Sequence, residues 1–80
     1  MMRKREDSKF LEVHQRLGTN MAKLIAENHT NVRELAKFCQ VSQVFIYTVI
    51  NGSRSASLEM LLGISEYFGI PLDELCYKSL

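Results

Sequence analysis

The sequence predicts an all-α protein, a compact bundle of about five short helices. Apolar residues recur at intervals of three and four along most of the chain, which is the spacing of one helical face. Residues that favour helix starts and ends separate these stretches, and no stretch alternates polar and apolar residues as a half-buried strand does. Eighty residues suffice for one core, so we expect residues 1–80 to form a single domain.

The first predicted helix runs from about Ser8 to Asn28, with Asp7 or Ser8 as its N-cap. Its apolar face consists of Phe10, Val13, Leu17, Met21 and Leu24. Gly18 lies inside this helix, where glycine costs roughly 1 kcal/mol relative to alanine, so the sequence allows either a continuous helix or one interrupted near Gly18. Residues 1–7 precede the helix and are expected to form a flexible basic arm.

Residues 31–52 predict two short helices separated by a tight turn. Asn31 suits the N-cap of the first of them, with Glu34 three residues later in a capping-box arrangement. The pattern breaks before Ser42, whose hydroxyl can cap the next helix, and Gly52 suits the left-handed position after its end. The apolar residues expected to join the pair are Leu35, Ala36, Val41, Ile46 and Val49.

Two further helices are predicted after residue 56. Ser57 caps the fourth helix and Gly69 ends it. The apolar face of this helix consists of Leu58, Leu61, Ile64 and Phe68. Pro71 opens the last short helix, because proline is tolerated in a first helical turn.

Charge is distributed unevenly along the chain. The net charge is +1, but residues 1–57 hold nine Lys or Arg against five Asp or Glu, and residues 58–80 hold one against four. A chain of this kind can present one face to an anionic polymer. Solvated charges that serve solubility explain the same distribution equally well.

Several classes of protein and site are not supported by the sequence. It has no phosphate-cradling glycine loop, no nucleophile with a paired base and no acidic cluster, so we expect no enzyme, cofactor or small-molecule ligand. Cys39 and Cys76 are far apart and form no CxxC or CxxH pair, which favours reduced thiols and no metal site. No transmembrane-length apolar run or secretory signal is present, so a cytoplasmic location without membrane contact is expected.

Three segments of the chain, ELAKFCQVS, IYTVINGSRSASLEMLL and ISEYFGIPLDEL, occur in an order and spacing characteristic of one family. They resemble the helix-turn-helix domain of the phage-repressor and Cro superfamily, often called the XRE family. The resemblance covers residues 17–75 and implies a lambda-repressor-like bundle with the helix-turn-helix pair at residues 31–52. In such a pair one helix lies across the other, which enters the major groove of DNA.

The resemblance also implies which residues contact DNA. Base contacts fall on the start and outer face of the recognition helix, at Gln43, Val44, Tyr47 and Thr48. Phosphate contacts fall on Ser42, Asn51, Ser53, Arg54 and Ser55. The implied function is a sequence-specific transcriptional regulator of repressor or controller type, which inserts helix 42–51 into the major groove of double-stranded DNA as a homodimer on a palindromic operator.

The sequence departs from the family pattern at several positions. Gln40 stands where the family often has a turn glycine, Val32 where it often has a phosphate-binding glutamine, and Ala56 where proline is common. The segment VFIYTVI is apolar nearly all round, which is unusual for a helix that faces water and a polar groove. The alternative is therefore a protein-interaction module that keeps the helix-turn-helix fold but no longer recognises DNA.

Two further surfaces have alternative interpretations. Arg3, Lys4 and Arg5 can reach the minor groove or phosphates, or can remain solvated. A homodimer seam is possible over Tyr67, Leu72, Leu75, Tyr77 and Leu80, but core packing explains some of these residues equally well.

Overall fold

The computed structural model describes residues 2–80, with side chains described from Phe10 onward. Over this range the chain forms α-helices and no strand, as the sequence predicts. The five helices are α1 (Met2–Glu27), α2 (Val32–Cys39), α3 (Gln43–Ile50), α4 (Leu58–Phe68) and α5 (Leu72–Tyr77). α1 begins at Met2, so the predicted start near Ser8, with Asp7 or Ser8 as N-cap, is wrong. The side chains of the predicted basic arm lie outside the described residues, so the role of Arg3, Lys4 and Arg5 stays a prediction.

One hydrophobic core receives side chains from all five helices. Its buried members are Leu17, Met21, Leu24, Leu35, Ala36, Cys39, Ile46, Val49, Met60, Ile64 and Leu75. The residues predicted to join α2 and α3 belong to this core, except that Val41 is only half-buried at its edge. Burial of the apolar faces provides the main driving force for folding, because short isolated helices are marginal in water.

The caps of α2, α3 and α4 form as predicted. Asn31 Oδ1 accepts a hydrogen bond from the Glu34 amide at 2.9 Å, and Ser42 Oγ accepts one from the Phe45 amide at 3.0 Å. Ser57 Oγ accepts one from the Met60 amide at 3.2 Å. Each bond satisfies a backbone N–H that has no partner inside the first helical turn, so each helix start is determined locally.

Of the two alternatives for α1, the continuous helix is the one observed, since α1 runs through Gly18 without interruption. A Cβ atom on Gly18 would lie 2.3 Å from the Ile50 carbonyl oxygen and 3.0 Å from the Val49 carbonyl oxygen. Glycine is therefore needed because the last turn of α3 rests directly on the backbone of α1. This contact determines the position of the C-terminal end of α3.

A buried polar residue, Asn20, connects α1 to the end of the chain. Its Nδ2 donates to the carbonyl oxygens of Leu75 at 2.7 Å and Lys78 at 2.8 Å, and its Oδ1 accepts from the Leu80 amide at 3.1 Å. The side chain is only 2% exposed, and all of its hydrogen-bonding atoms have partners. Asn20 thus donates hydrogen bonds to carbonyls at the end of α5 that have no partner within the helix, and it holds that helix against α1.

The structure corrects part of the predicted dimer seam. Leu75 is fully buried in its own subunit's core, so it is not available to a second copy. Tyr67 is half-buried, its hydroxyl is 2.7 Å from Thr30 Oγ1, and its ring packs edge-on against Phe38 and Phe68. Tyr77 on α5 is the most exposed of the five predicted seam residues.

Candidate nucleic-acid interface

The turn between α2 and α3 is built around Gln40, which adopts a left-handed backbone with φ of 60°. The amide of Gln40 donates to the Lys37 carbonyl at 3.3 Å, and the Val41 amide donates to the Ala36 carbonyl at 3.0 Å. The family often has glycine at this position of the turn. Here a residue with a Cβ atom adopts the same left-handed backbone. A left-handed backbone costs such a residue roughly 1–2 kcal/mol. Ser42 caps α3, so only residues 40–42 separate the two helices.

The inner face of α3 is buried and its outer face is open to solvent. Ile46 and Val49 belong to the core. Gln43 is exposed, and Val44 and Tyr47 are 70% and 51% exposed. Three of the four residues predicted to contact bases thus have solvent-exposed side chains. The helix that carries them is narrow enough for the major groove.

The fourth predicted base-contacting residue, Thr48, lies at the edge of this face. Its side chain is half-buried, and its Oγ1 donates to the Phe45 carbonyl at 2.8 Å. The hydroxyl proton of Thr48 is therefore engaged inside the helix, although the oxygen can still accept a hydrogen bond.

The packing of α3 explains part of its apolar character. Phe45 and Ile50 are half-buried and pack against the core. Val44 and Tyr47 do not, and they give the outer face an apolar component beside Gln43. The apolar segment is thus divided between core packing and an exposed stripe.

The segment after α3 forms a turn with the predicted phosphate-contacting residues at its surface. Gly52 has φ of 78°, as expected for the left-handed position after a helix. Both the amide and the hydroxyl of Ser53 donate to the Thr48 carbonyl, at 3.0 Å and 3.1 Å. Asn51, Ser53, Arg54 and Ser55 are all exposed. Ser42, at the opposite end of α3, is exposed as well, so the predicted polar contacts flank the outer face at both ends of the helix.

Two residues that the sequence analysis did not single out for this site contact the turn or its arginine. His14 on α1 places its Nε2 3.5 Å from Ser55 Oγ. Phe45 places its ring under Arg54, with 5.6 Å between the guanidinium carbon and the ring centroid. Neither contact has a local sequence signal, since each joins residues at least nine positions apart.

The charge of Arg54 is available to an anion. Within the described part of the chain, the one salt bridge joins Lys78 and Glu74 on α5 at 3.8 Å. Among the described side chains, no acidic group forms a salt bridge with Arg54, which lies on a surface with exposed hydroxyl and amide groups. Such a surface is suited to a phosphodiester backbone, where cations bind and neutral donors set the register.

The two thiols lie outside this interface. Burial raises the pKa of the Cys39 thiol, and burial together with the Asp73 carboxylate raises the pKa of the Cys76 thiol. Among the described side chains, no group of three His, Cys, Asp or Glu residues is arranged to hold a metal ion. No helix in the described range is long and apolar enough to cross a membrane.

A helix pair joined by a left-handed turn, with the outer face of its second helix open and flanked by polar groups, defines the helix-turn-helix class of DNA-binding proteins. A family model for this helix-turn-helix, of the Cro and C1 type, matches residues 21–75, which is more than half of the chain. The protein belongs to the XRE family of helix-turn-helix regulators, which bind DNA and control transcription. Searches of curated proteins and of solved structures gave no match.

Proposed function

We propose that this protein is a sequence-specific transcriptional regulator of repressor or controller type, which inserts helix 42–51 into the major groove of a palindromic operator as a homodimer. The observation that carries this proposal is the open outer face of α3, where the side chains of Gln43 and Tyr47 are exposed on successive turns of the helix.

Base recognition would come mainly from Gln43. Its amide can form a bidentate pair with N6 and N7 of adenine, which is worth roughly 1–3 kcal/mol of discrimination against another base. Val44 has no polar atom and suits the methyl group of thymine. Tyr47 and Thr48 lie one turn further along, where Tyr47 offers a hydroxyl and Thr48 offers an acceptor oxygen.

Phosphate contacts would come from both ends of α3. Arg54 supplies the positive charge, and the side chains of Asn51, Ser53 and Ser55 supply neutral hydrogen-bonding groups on the same turn. Ser42 lies at the other end of the helix, beside its N-terminal amides. Contacts at both ends would fix the register of α3 in the groove, while the residues between them identify the sequence.

A homodimer would place two copies of α3 about 34 Å apart, one turn of DNA, in successive major grooves. The exposed Tyr77 on α5, together with the half-buried Leu72 and Leu80, is the proposed contact between subunits. A symmetric dimer uses the same patch on both subunits, so one exposed aromatic residue provides two contacts.

A second candidate function is supported by the exposed apolar side chains of Val44 and Tyr47. On this hypothesis the outer face of α3 binds a protein instead of DNA. The apolar stripe is narrow and is bordered by Gln43 and by the exposed polar turn at residues 51–55, which favours DNA as the partner.

The experiment that tests the proposal is selection of bound sequences from a random duplex pool, followed by mobility-shift titration at several salt concentrations. A palindromic consensus with salt-dependent affinity is expected. If the protein retains no duplex at micromolar concentration and low salt, the proposal fails and the protein-interaction hypothesis is favoured.

Two substitutions separate base contacts from phosphate contacts. Gln43→Ala should relax the preference at one base position while leaving the salt dependence unchanged. Arg54→Ala should weaken binding to all sequences and reduce the slope of log K against log salt by about one per subunit. Lys37→Ala is the matched control, because it removes one exposed positive charge from α2 and leaves the turn after α3 unchanged.

A further inference from the structure

The recognition helix carries an aromatic residue, Phe45, where a polar side chain would be expected beside DNA. Phe45 lies in the first turn of α3, whereas Arg54 lies in the turn beyond the other end of this helix. The Arg54 guanidinium carbon is nevertheless 5.6 Å from the centroid of the Phe45 ring. The arginine side chain therefore folds back along α3 instead of extending into solvent.

The contact has the geometry of a cation–π interaction, in which a cation lies within about 6 Å of a ring centroid. Within the described residues no acidic side chain forms a salt bridge with Arg54. Phe45 is held in place because its ring is half-buried against the core. The ring is thus a fixed support, and the guanidinium is the movable partner.

This arrangement leaves the hydrogen-bonding capacity of Arg54 intact. A cation–π contact uses the positive charge of the guanidinium, and it does not consume N–H donors. A free arginine side chain loses considerable conformational entropy when it binds phosphate, and an arginine that is already ordered loses less. An ordered guanidinium beside α3 is therefore a better phosphate ligand than a mobile one.

We propose that Phe45 is a positioning residue, which holds Arg54 against the recognition helix so that its guanidinium is preorganised for a DNA phosphate. The proposal rests on the proposed function, since it takes the DNA backbone as the anion. It assigns a role to an apolar residue of α3 that neither contacts bases nor belongs to the fully buried core. Ordering by Phe45 is expected to strengthen DNA binding by about two- to fivefold per half-site.

The first test needs no DNA. Protons above an aromatic ring resonate upfield, so the Arg54 side-chain protons of the wild-type protein should be shifted upfield from their usual positions. Phe45→Tyr should keep this shift and Phe45→Leu should remove it. Arg54 resonances at their usual positions in the wild-type protein would overturn the proposal.

The second test is a double-mutant cycle with the selected operator. Phe45→Leu should weaken binding by about two- to fivefold per half-site in the wild-type background, and Phe45→Tyr should restore it. In the Arg54→Ala background, Phe45→Leu should have no further effect, because there is no guanidinium to position. An equal loss in both backgrounds would show that Phe45 acts only through the fold, which would overturn the proposal.

The cycle also separates failure of this proposal from failure of the proposed function. If the wild-type protein binds operator and Arg54→Ala weakens it, but Phe45 and Arg54 act independently, the regulator function stands and the positioning role falls. If the wild-type protein binds no duplex, both fall. The urea midpoint of each variant shows whether it remains folded under the binding conditions.

Discussion

Substitution of Gly18 by alanine sets two physical effects of opposite sign against each other. Gly18 lies inside α1, where alanine is favoured over glycine by about 1 kcal/mol through helix propensity alone. The same substitution adds a methyl group where α1 rests on the last turn of α3. We expect packing to prevail, so that Gly18→Ala lowers the free energy of unfolding.

The magnitude follows from the distances at this contact. The added Cβ would lie 2.3 Å from the Ile50 carbonyl oxygen and 2.9 Å from its carbonyl carbon, whereas ordinary contacts begin near 3.4 Å. The helices must therefore separate by about 1 Å, since a backbone carbonyl in the last turn of a helix cannot move away as easily as the end of a side chain can. Overpacking costs about 1–3 kcal/mol, and a clash with backbone belongs at the upper end. After subtraction of the propensity gain, a net loss of about 2 kcal/mol is expected, which lowers the ratio of folded to unfolded protein about 30-fold.

The assay is urea denaturation followed by far-ultraviolet circular dichroism. Thr19→Ala is the control for propensity, because Thr19 is the exposed neighbour in the same helix and its substitution should stabilise the protein by a few tenths of a kcal/mol. Gly63→Ala is the control that compares a clash with a side chain to the clash with backbone at Gly18. Its Cβ would meet the Cys39 Sγ at 2.7 Å, a side-chain atom that can move, so its cost should be smaller than that of Gly18→Ala.

A stabilised Gly18→Ala variant would refute this reasoning, because it would mean that α1 and α3 separate without cost. Operator binding provides a second measure of the same contact. Since Gly18 supports the end of α3 from which the turn at residues 51–55 begins, its substitution should weaken binding even under conditions where the variant is fully folded.

Three other substitutions test contacts seen in the structure. Asn20→Ala should lower the free energy of unfolding by about 2–4 kcal/mol, because it removes three hydrogen bonds and leaves two carbonyls without their donors; a urea midpoint close to that of the wild type would contradict this. Gln40→Gly should raise the free energy of unfolding by about 1 kcal/mol, because removal of the left-handed backbone penalty outweighs the greater freedom of glycine in the unfolded chain. A loss of stability would argue against φ of 60° at this turn. The raised pKa of Cys76 leaves less thiolate at pH 8, so iodoacetamide should modify this thiol more slowly than the amino acid cysteine in solution. Asp73→Asn should lower that pKa and accelerate the modification, and equal rates for the variant and the wild type would show that Asp73 has no influence.

Helix boundaries were predictable where local chemistry sets them. Asn31, Ser42 and Ser57 each bond to an amide three residues ahead, and Gly52 and Gly69 each take a left-handed backbone just after a helix. These interactions span at most a few residues, so the pattern of residue types reveals them directly.

The outer face of α3 was predictable for a related reason. In a helix the direction of a side chain follows from its position in the sequence, so the burial of Ile46 and Val49 implies that Val44 and Tyr47 point the other way. The family resemblance added the interpretation of this face as a base-contacting surface. It did not indicate which apolar residues of the helix would be buried and which exposed.

The sequence by itself determined the all-α class, the five helices, the caps of α2, α3 and α4 and the solvent-facing side of α3, because each depends on residues within about one helical turn of one another. Only the tertiary structure decided why residue 18 is glycine, what Asn20 bonds to, which residues remain for a dimer seam, and that Arg54 lies over Phe45. The physical reason is sequence separation: these contacts join residues from 9 to 60 positions apart. They exist only after the apolar faces have packed, and the resulting distances between helix backbones then select the residue at each contact.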